Sequence, residues 1–119
     1  MTLGRTVTLG RVAFAAVCAA SLVVLFSPGS DVPSGLPIND KVVHGVLFAA
    51  LAVTGRTAGL RPAALALGLA AYAGISEVLQ STLPIDRDGD WRDAVTDLAG
   101  VALGLLIMRL AHRDKTTLE

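Results

Sequence analysis

The amino-acid sequence predicts an all-α, polytopic membrane protein, a bundle of four transmembrane helices, and three observations carry that expectation. Of 119 residues, 53% are hydrophobic and only 17% charged, with a mean hydropathy of +0.63. The apolar residues gather into four runs, each near the roughly 20 residues that cross the hydrocarbon core once flanking residues are included. The segments between the runs are rich in Pro, Gly and Asp, which break helices and favour turns. The formal net charge is zero and the basic residues form no dense stripe, so the membrane lipid bilayer is an expected partner and nucleic acid is not. A single domain over residues 1–119 is expected, with no internal repeat.

The first run extends from Gly10 to Phe26. Preceded by Arg5 and Arg11, it has the look of a secretory signal, but no small-x-small site follows it cleanly, and an uncleaved first helix is expected. Cys18, the only cysteine, lies within this run and reads as a packing residue. Ser27 to Pro37 forms an exposed loop, and the second and shortest run spans Lys41 to Gly55. Arg56 to Arg61 makes a tight connector, followed by Pro62, which suits the first turn of a helix because its missing N–H has no partner there. The third run spans Pro62 to Leu83, and Ile85 to Asp93 is the one strongly polar segment before the tail. The fourth run spans Ala94 to Ala111.

Short cytoplasmic loops retain an excess of Lys and Arg. One side collects Arg5, Arg11, Arg56, Arg61, Arg109, Arg113 and Lys115, the other only Lys41, Arg87 and Arg92. A multi-pass protein of the cell membrane with both termini cytoplasmic is therefore expected, its first and third loops facing outward.

That topology brings ionisable groups on three helices to similar depth near the outer face. His44 lies one turn below Asp40, about 6 Å into the membrane at 1.5 Å per residue. Glu77 lies about 9 Å below Leu83, with Gln80 on the same face at i,i+3 spacing. Asp97 lies about 6 Å below Asp93. Asp90, Asp93 and Asp97 share a face that continues inward through Gly100 and Gly104, and small residues at such spacing let a neighbouring backbone approach. The acidic face is therefore expected to point into the bundle. Asp40, His44, Glu77, Gln80, Asp90, Asp93 and Asp97 are the candidate pocket residues, with Lys41, Arg87 and Arg92 as candidate anion contacts at its rim. The bland alternative is interhelical glue, worth about 0.6 kcal/mol per contact. Intramembrane ionisable groups mark functional sites by default, since placing one at the bilayer centre costs about 2.5–3.5 kcal/mol on insertion scales.

Other features carry less. Trp91 reads as an interfacial anchor, and His112 as an ordinary residue of the basic tail. Ser76 has the hydroxyl of a nucleophile but commonly such a serine bonds back to its own helix. Asp86 to Asp90 has some calcium-loop character without the ligand spacing or terminal glutamate of that motif. No metal and no cofactor is expected.

Three pieces of the chain, in order and on successive helices, resemble the VanZ-like family of bacterial membrane proteins. Asp40-Lys41-Val42-Val43-His44 followed by Phe48 is similar to the family's D-K-x-x-H-x-x-x-F, and Glu77-Val78-Leu79-Gln80 to its E-x-x-Q. Arg87, Asp90, Asp93 and Gly100 follow its R-x-x-D-x-x-D-x-x-x-N-x-x-G, with Asp97 standing where the family has asparagine. The match runs from about Asp40 to Gly104. That departure replaces amide N–H donors with a potential charge. The resemblance implies a protein of the cell envelope and a contribution to resistance against teicoplanin, a lipid-bearing glycopeptide. The enzyme label phosphotransbutyrylase, carried by some members, is not transferred, because nothing here resembles a soluble acyl-phosphate or coenzyme A site.

Three functions follow. The first is an envelope protein whose outward polar pocket engages a lipid-linked or amphiphilic ligand. The second is a membrane enzyme acting on a lipid-linked substrate, with His44 and Glu77 as acid and base. The third is a small proton-coupled transporter, which ranks last because the cytoplasmic halves of the helices carry almost no polar side chains.

Overall fold

Long apolar stretches without internal proline leave the backbone one way to satisfy its polar groups in hydrocarbon, the α-helix. The structure, a computed structural model, describes residues 2–26, 40–82 and 91–118. It is all-helical over these residues, with α1 at Thr2–Phe26, α2 at Asp40–Thr57, α3 at Pro62–Thr82 and α4 at Trp91–Leu118. The helices start and stop near the expected runs, with two extensions. α1 begins at Thr2 and not Gly10, and α4 runs from Trp91 to Leu118 and not from Ala94 to Ala111. No Pro stands in either extension, so the helices continue past the apolar boundary that hydropathy detects.

Three helical stretches are long and apolar enough to cross a membrane: Gly4–Phe26, Pro62–Thr82 and Trp91–Ala111. α2 differs, because its 18 residues include Asp40, Lys41, His44 and Arg56. It packs most extensively against α4, then against α1.

The connector between α2 and α3 is a Schellman cap. Leu60 N–H donates to the Gly55 carbonyl at 3.1 Å and Gly59 N–H to that of Arg56 at 3.0 Å, the paired bonds that close such a helix end. They require a left-handed residue, and Gly59 supplies it with φ of 95°. Leu65 N–H then donates to the Arg61 carbonyl at 2.9 Å, which opens α3 with Pro62 at its first position. The Arg56 side chain donates to the Leu60 carbonyl at 2.6 Å and ties the turn to α2.

The distribution of side chains is inverted relative to a water-soluble bundle. Val23 is 67% exposed and Leu67 73%, while Ser21, His44, Ser76, Glu77, Gln80, Asp93 and Asp97 are buried. Water would penalise that surface at about 25 cal/mol per Å² of apolar area, whereas lipid tails would not. The interior combines those polar groups with Leu25, Phe48, Leu51, Ala52, Leu65, Leu69, Ala73 and Val101. The Phe48 and Tyr72 rings meet at 5.5 Å, and the Tyr72 hydroxyl lies 2.8 Å from Ser21 Oγ.

α2 and α4 touch backbone to backbone. A Cβ at Gly100 would overlap the Gly45 carbonyl oxygen, and one at Gly104 would lie 2.6 Å from the Ala49 oxygen and 2.7 Å from the Ala52 Cβ. The glycine stripe of α4 is thus the packed face that its spacing predicts. Gly68 and Gly74 of α3 have nothing within 4 Å of that position. Gly100→Leu and Gly104→Leu should each destabilise the protein by about 1–3 kcal/mol or more through overpacking, and Gly68→Leu and Gly74→Leu should leave it unchanged. Unfolding of the four variants in mixed detergent micelles measures this, and equal stability across them would contradict the α2/α4 contact.

Candidate functional site

Every polar residue of the cluster lies toward one end of the bundle, because α2 and α4 begin there and α3 ends there. His44 stands one turn into α2 after Asp40, Asp93 and Asp97 stand in the first two turns of α4, and Glu77 and Gln80 stand in the last two turns of α3. The i,i+4 spacing of Asp93 and Asp97 puts both on the face that meets α2. Both are buried, Asp97 at 0% exposure, as are His44, Glu77 and Gln80.

His44 forms the centre. Its Nδ1 is 2.8 Å from Asp97 Oδ1, a direct hydrogen bond between the ring and the carboxyl group. Its Nε2 is 3.8 Å from Asp93 Oδ2. Lys41 Nζ donates to the other oxygen, Asp93 Oδ1, at 3.1 Å. Lysine, carboxylate, imidazole and carboxylate therefore run in series from the half-exposed Lys41 to the buried Asp97. Glu77 reaches the same point from α3: ligand-type atoms of His44, Glu77 and Asp97 all lie within 4.8 Å of one another. The convergence expected from matched depth and face is present.

Gln80, one turn beyond Glu77, donates its Nε2 to the Leu25 carbonyl at 2.7 Å. It satisfies a carbonyl at the C-terminal end of α1, where helices leave such acceptors orphaned. The amide oxygen of Gln80 is buried and accepts no hydrogen bond among the described residues.

Two of the three candidate anion contacts, Lys41 and Arg92, have described side chains. Lys41 is bound to Asp93 and belongs to the cluster. Arg92 is exposed, its guanidinium carbon 5.8 Å from the Trp91 ring centroid, within cation–π range. Trp91 is itself exposed. Arg87, Asp90, the Asp86 to Asp90 segment and the side chains of Asp40 and His112 lie outside the described residues. Ser76 donates to the Ala73 carbonyl at 3.0 Å, the bond back to its own helix that its type favours. Cys18 is a partly buried free thiol packed against the core.

Sequence reasoning missed two features. The Ser21–Tyr72 pair ties α1 to α3, and the signal for it was one serine deep in an apolar run and the chain's single tyrosine. The second is a groove of about 720 Å³ between α2 and α4, whose lining includes Lys41, Val46, Ala49, Ala99, Gly100 and Leu103. It is apolar along its length and has Lys41 at the end nearest the cluster. Small residues line it, and smallness is legible in a sequence while the hollow it leaves is not.

The arrangement can orient an imidazole between two carboxylates and present oxygen and nitrogen donors from three helices at one point. His44 and Asp97 should be energetically coupled. A double-mutant cycle with His44→Gln and Asp97→Asn, read by unfolding in micelles, should give an interaction energy of about 0.5–3 kcal/mol. Strict additivity of the two changes would remove the 2.8 Å contact from the folded protein.

No family model matches the chain, and no curated protein or solved structure matches it significantly.

Proposed function

We propose that the chain is a VanZ-like protein of the bacterial cell envelope with four transmembrane helices, whose outward cluster and adjoining groove hold a membrane amphiphile. The single observation that carries the reading is the continuity of Lys41: its ammonium is bonded into the polar cluster through Asp93, and the same residue lines the polar end of the α2/α4 groove. A ligand with a charged head and a long acyl chain has that shape. Its head would meet Lys41 and the groups behind it, and its chain would lie over Val46, Ala49, Ala99 and Leu103.

α2 serves as the fourth span in this reading. Its 18 residues measure about 27 Å at 1.5 Å per residue, close to the roughly 30 Å of hydrocarbon. Its charges stand in the first and last turns, where they can reach headgroups, and the one interior ionisable side chain, His44, is turned inward. The end-to-end order also supports cytoplasmic termini. Gly10 of α1 packs on Thr57 and Ala58, so Arg5, Arg11, Arg56 and Arg61 gather at the end opposite the cluster, as the positive-inside rule requires of a cytoplasmic side.

The ligand class follows from the resemblance of Asp40 to Gly104 to the VanZ-like pattern: a lipid-linked or lipid-bearing envelope compound, with a contribution to teicoplanin-type resistance. A membrane enzyme using His44 and Glu77 as acid and base is the second reading, favoured by the closeness of those two side chains. A proton-coupled transporter has less support, since Leu51, Ala52, Leu65, Leu69 and Val101 fill the interior and offer no polar path.

Three experiments test the proposal. Introduced cysteines at Ser34 and Gly89 in a Cys18→Ser background should react with an impermeant thiol reagent in intact cells; labelling only after lysis reverses the topology. Ala99→Trp fills the groove from an exposed position on α4 and should weaken binding of an acylated glycopeptide or lipid probe about tenfold or more, equivalent to ~1.4 kcal/mol. The same variant, produced at normal abundance in a deletion strain, should restore resistance to the acylated glycopeptide less than the parent does. Full binding and full resistance with the groove filled would sink the amphiphile reading.

A further inference from the structure

His44, Glu77 and Asp97 come from three different helices and are each more than nine-tenths buried. One ligand-type atom from each lies within 4.8 Å of the others. An imidazole with two carboxylates is a donor set of net charge −2 when the ring is neutral, which matches a divalent cation. Hydrogen-bonded glue needs polar groups that pair, and it places no requirement on three groups converging on a point from three elements. A metal site does.

The distances suit a small ion. Ligands at about 2.1 Å from a common centre stand about 3.0 Å apart at a right angle and about 3.4 Å apart at the tetrahedral angle. His44 Nδ1 and Asp97 Oδ1, at 2.8 Å, are already within a few tenths of an ångström of that spacing. Glu77 lies within 4.8 Å of both, and rotation about its terminal torsion, broad and soft for a glutamate, would bring a carboxylate oxygen nearer.

An independent observation points the same way. A metal-bound histidine almost always donates its other ring N–H to a carboxylate or carbonyl, which fixes the tautomer. Here Nε2 faces Asp93 Oδ2 at 3.8 Å, and Lys41 holds that carboxylate from the far side at 3.1 Å. Coordination through Nδ1 leaves the proton of a neutral His44 on Nε2, the nitrogen that faces Asp93. Gln80, buried one turn beyond Glu77 on the same face of α3, adds a neutral amide oxygen that accepts no hydrogen bond among the described residues.

We propose that His44, Glu77 and Asp97 bind a single divalent transition-metal ion of the zinc type, with Asp93 as the outer carboxylate that orients His44. One nitrogen and two carboxylate oxygens suit zinc, and manganese more weakly in keeping with the general order of affinities. Three protein ligands leave a coordination position open for water or an anionic oxygen, the pattern of reactive and not of purely structural zinc sites. Asp97, which occupies a position where the VanZ-like pattern has asparagine, supplies the second anionic ligand. The proposal stands independently of any amphiphile in the groove.

The test uses the untagged 119-residue chain in detergent micelles without added lipid, so that its outcome is separate from that of the amphiphile reading. Cobalt(II) titration should produce visible d–d absorption saturating at one ion per chain, abolished by zinc. X-ray absorption of the zinc form should show one imidazole among oxygen ligands. Asp93→Asn should lower zinc affinity about 10–100-fold, the usual effect of removing an outer partner. His44→Gln, Glu77→Gln and Asp97→Asn should lower it further, and His112→Gln, which alters the other histidine, should leave it unchanged. Folded wild-type protein that gives no cobalt spectrum overturns the proposal whether or not any variant folds. So does zinc binding that survives all three ligand substitutions, or that is lost in His112→Gln.

Discussion

The contact of α2 with α4 at Gly45 and Gly100 is the constraint on which the rest of the molecule depends. Two helices separated by ordinary side chains have axes about 8–10 Å apart, and here the missing Cβ atoms at Gly100 and Gly104 let one backbone rest on the other. That approach brings the two helices near enough for short side chains to meet across them. His44 and Asp97 bond directly at 2.8 Å, and Lys41 and Asp93 at 3.1 Å. A larger residue in the glycine stripe would push these pairs apart before it touched any of them. The small residues also leave a hollow beside the contact, so the same choice that closes the polar cluster opens the apolar groove.

The inverted surface explains why the cluster can be stable. Apolar side chains on the outside require a solvent that does not penalise them, and in hydrocarbon there is no hydrophobic drive to hold helices together. Association then rests on close backbone packing and on polar groups that have nowhere else to bond. The α2/α4 stripe supplies the first, and the His44, Ser21–Tyr72 and Gln80–Leu25 interactions supply the second. These three link α2 to α4, α1 to α3, and α3 back to α1, so each helix has at least one polar tie to a neighbour. Breaking any one leaves a buried polar group short of a partner, at about 1–3 kcal/mol.

The site joins two environments within a few turns of helix. Lys41 stands at the boundary, its stem on the groove and its ammonium on Asp93. Behind it the series becomes progressively more buried through Asp93 and His44 to Asp97, with Glu77 buried beside it on α3. An amphiphile held in the groove would place its head beside donors suited to a divalent ion. An ion at His44, Glu77 and Asp97 would in turn raise the attraction of that end for an anionic head. The amphiphile and metal readings are separable by experiment and compatible in space.

The sequence by itself determined the helical class, the approximate limits of the helices, the tight connector from Arg56 to Arg61 with Pro62 opening the next helix, and the level of each ionisable residue along its own helix. All of these are local properties, set by hydropathy, by backbone-breaking residues and by a fixed rise per residue. Depth and helical face were enough to anticipate that His44, Glu77 and Asp97 converge, because residues at one level on inward faces of a small bundle have little room to avoid one another. Which of them bond was not legible. Lys41 read as a contact for an outside anion, and its bond to Asp93 was not anticipated, since that pairing depends on how α2 is rotated against α4. The Ser21–Tyr72 and Gln80–Leu25 ties and the groove itself are likewise products of rotation and separation between helices. Only the tertiary structure decides these, because side chains tens of residues apart in sequence have no fixed distance until the backbones that carry them have packed.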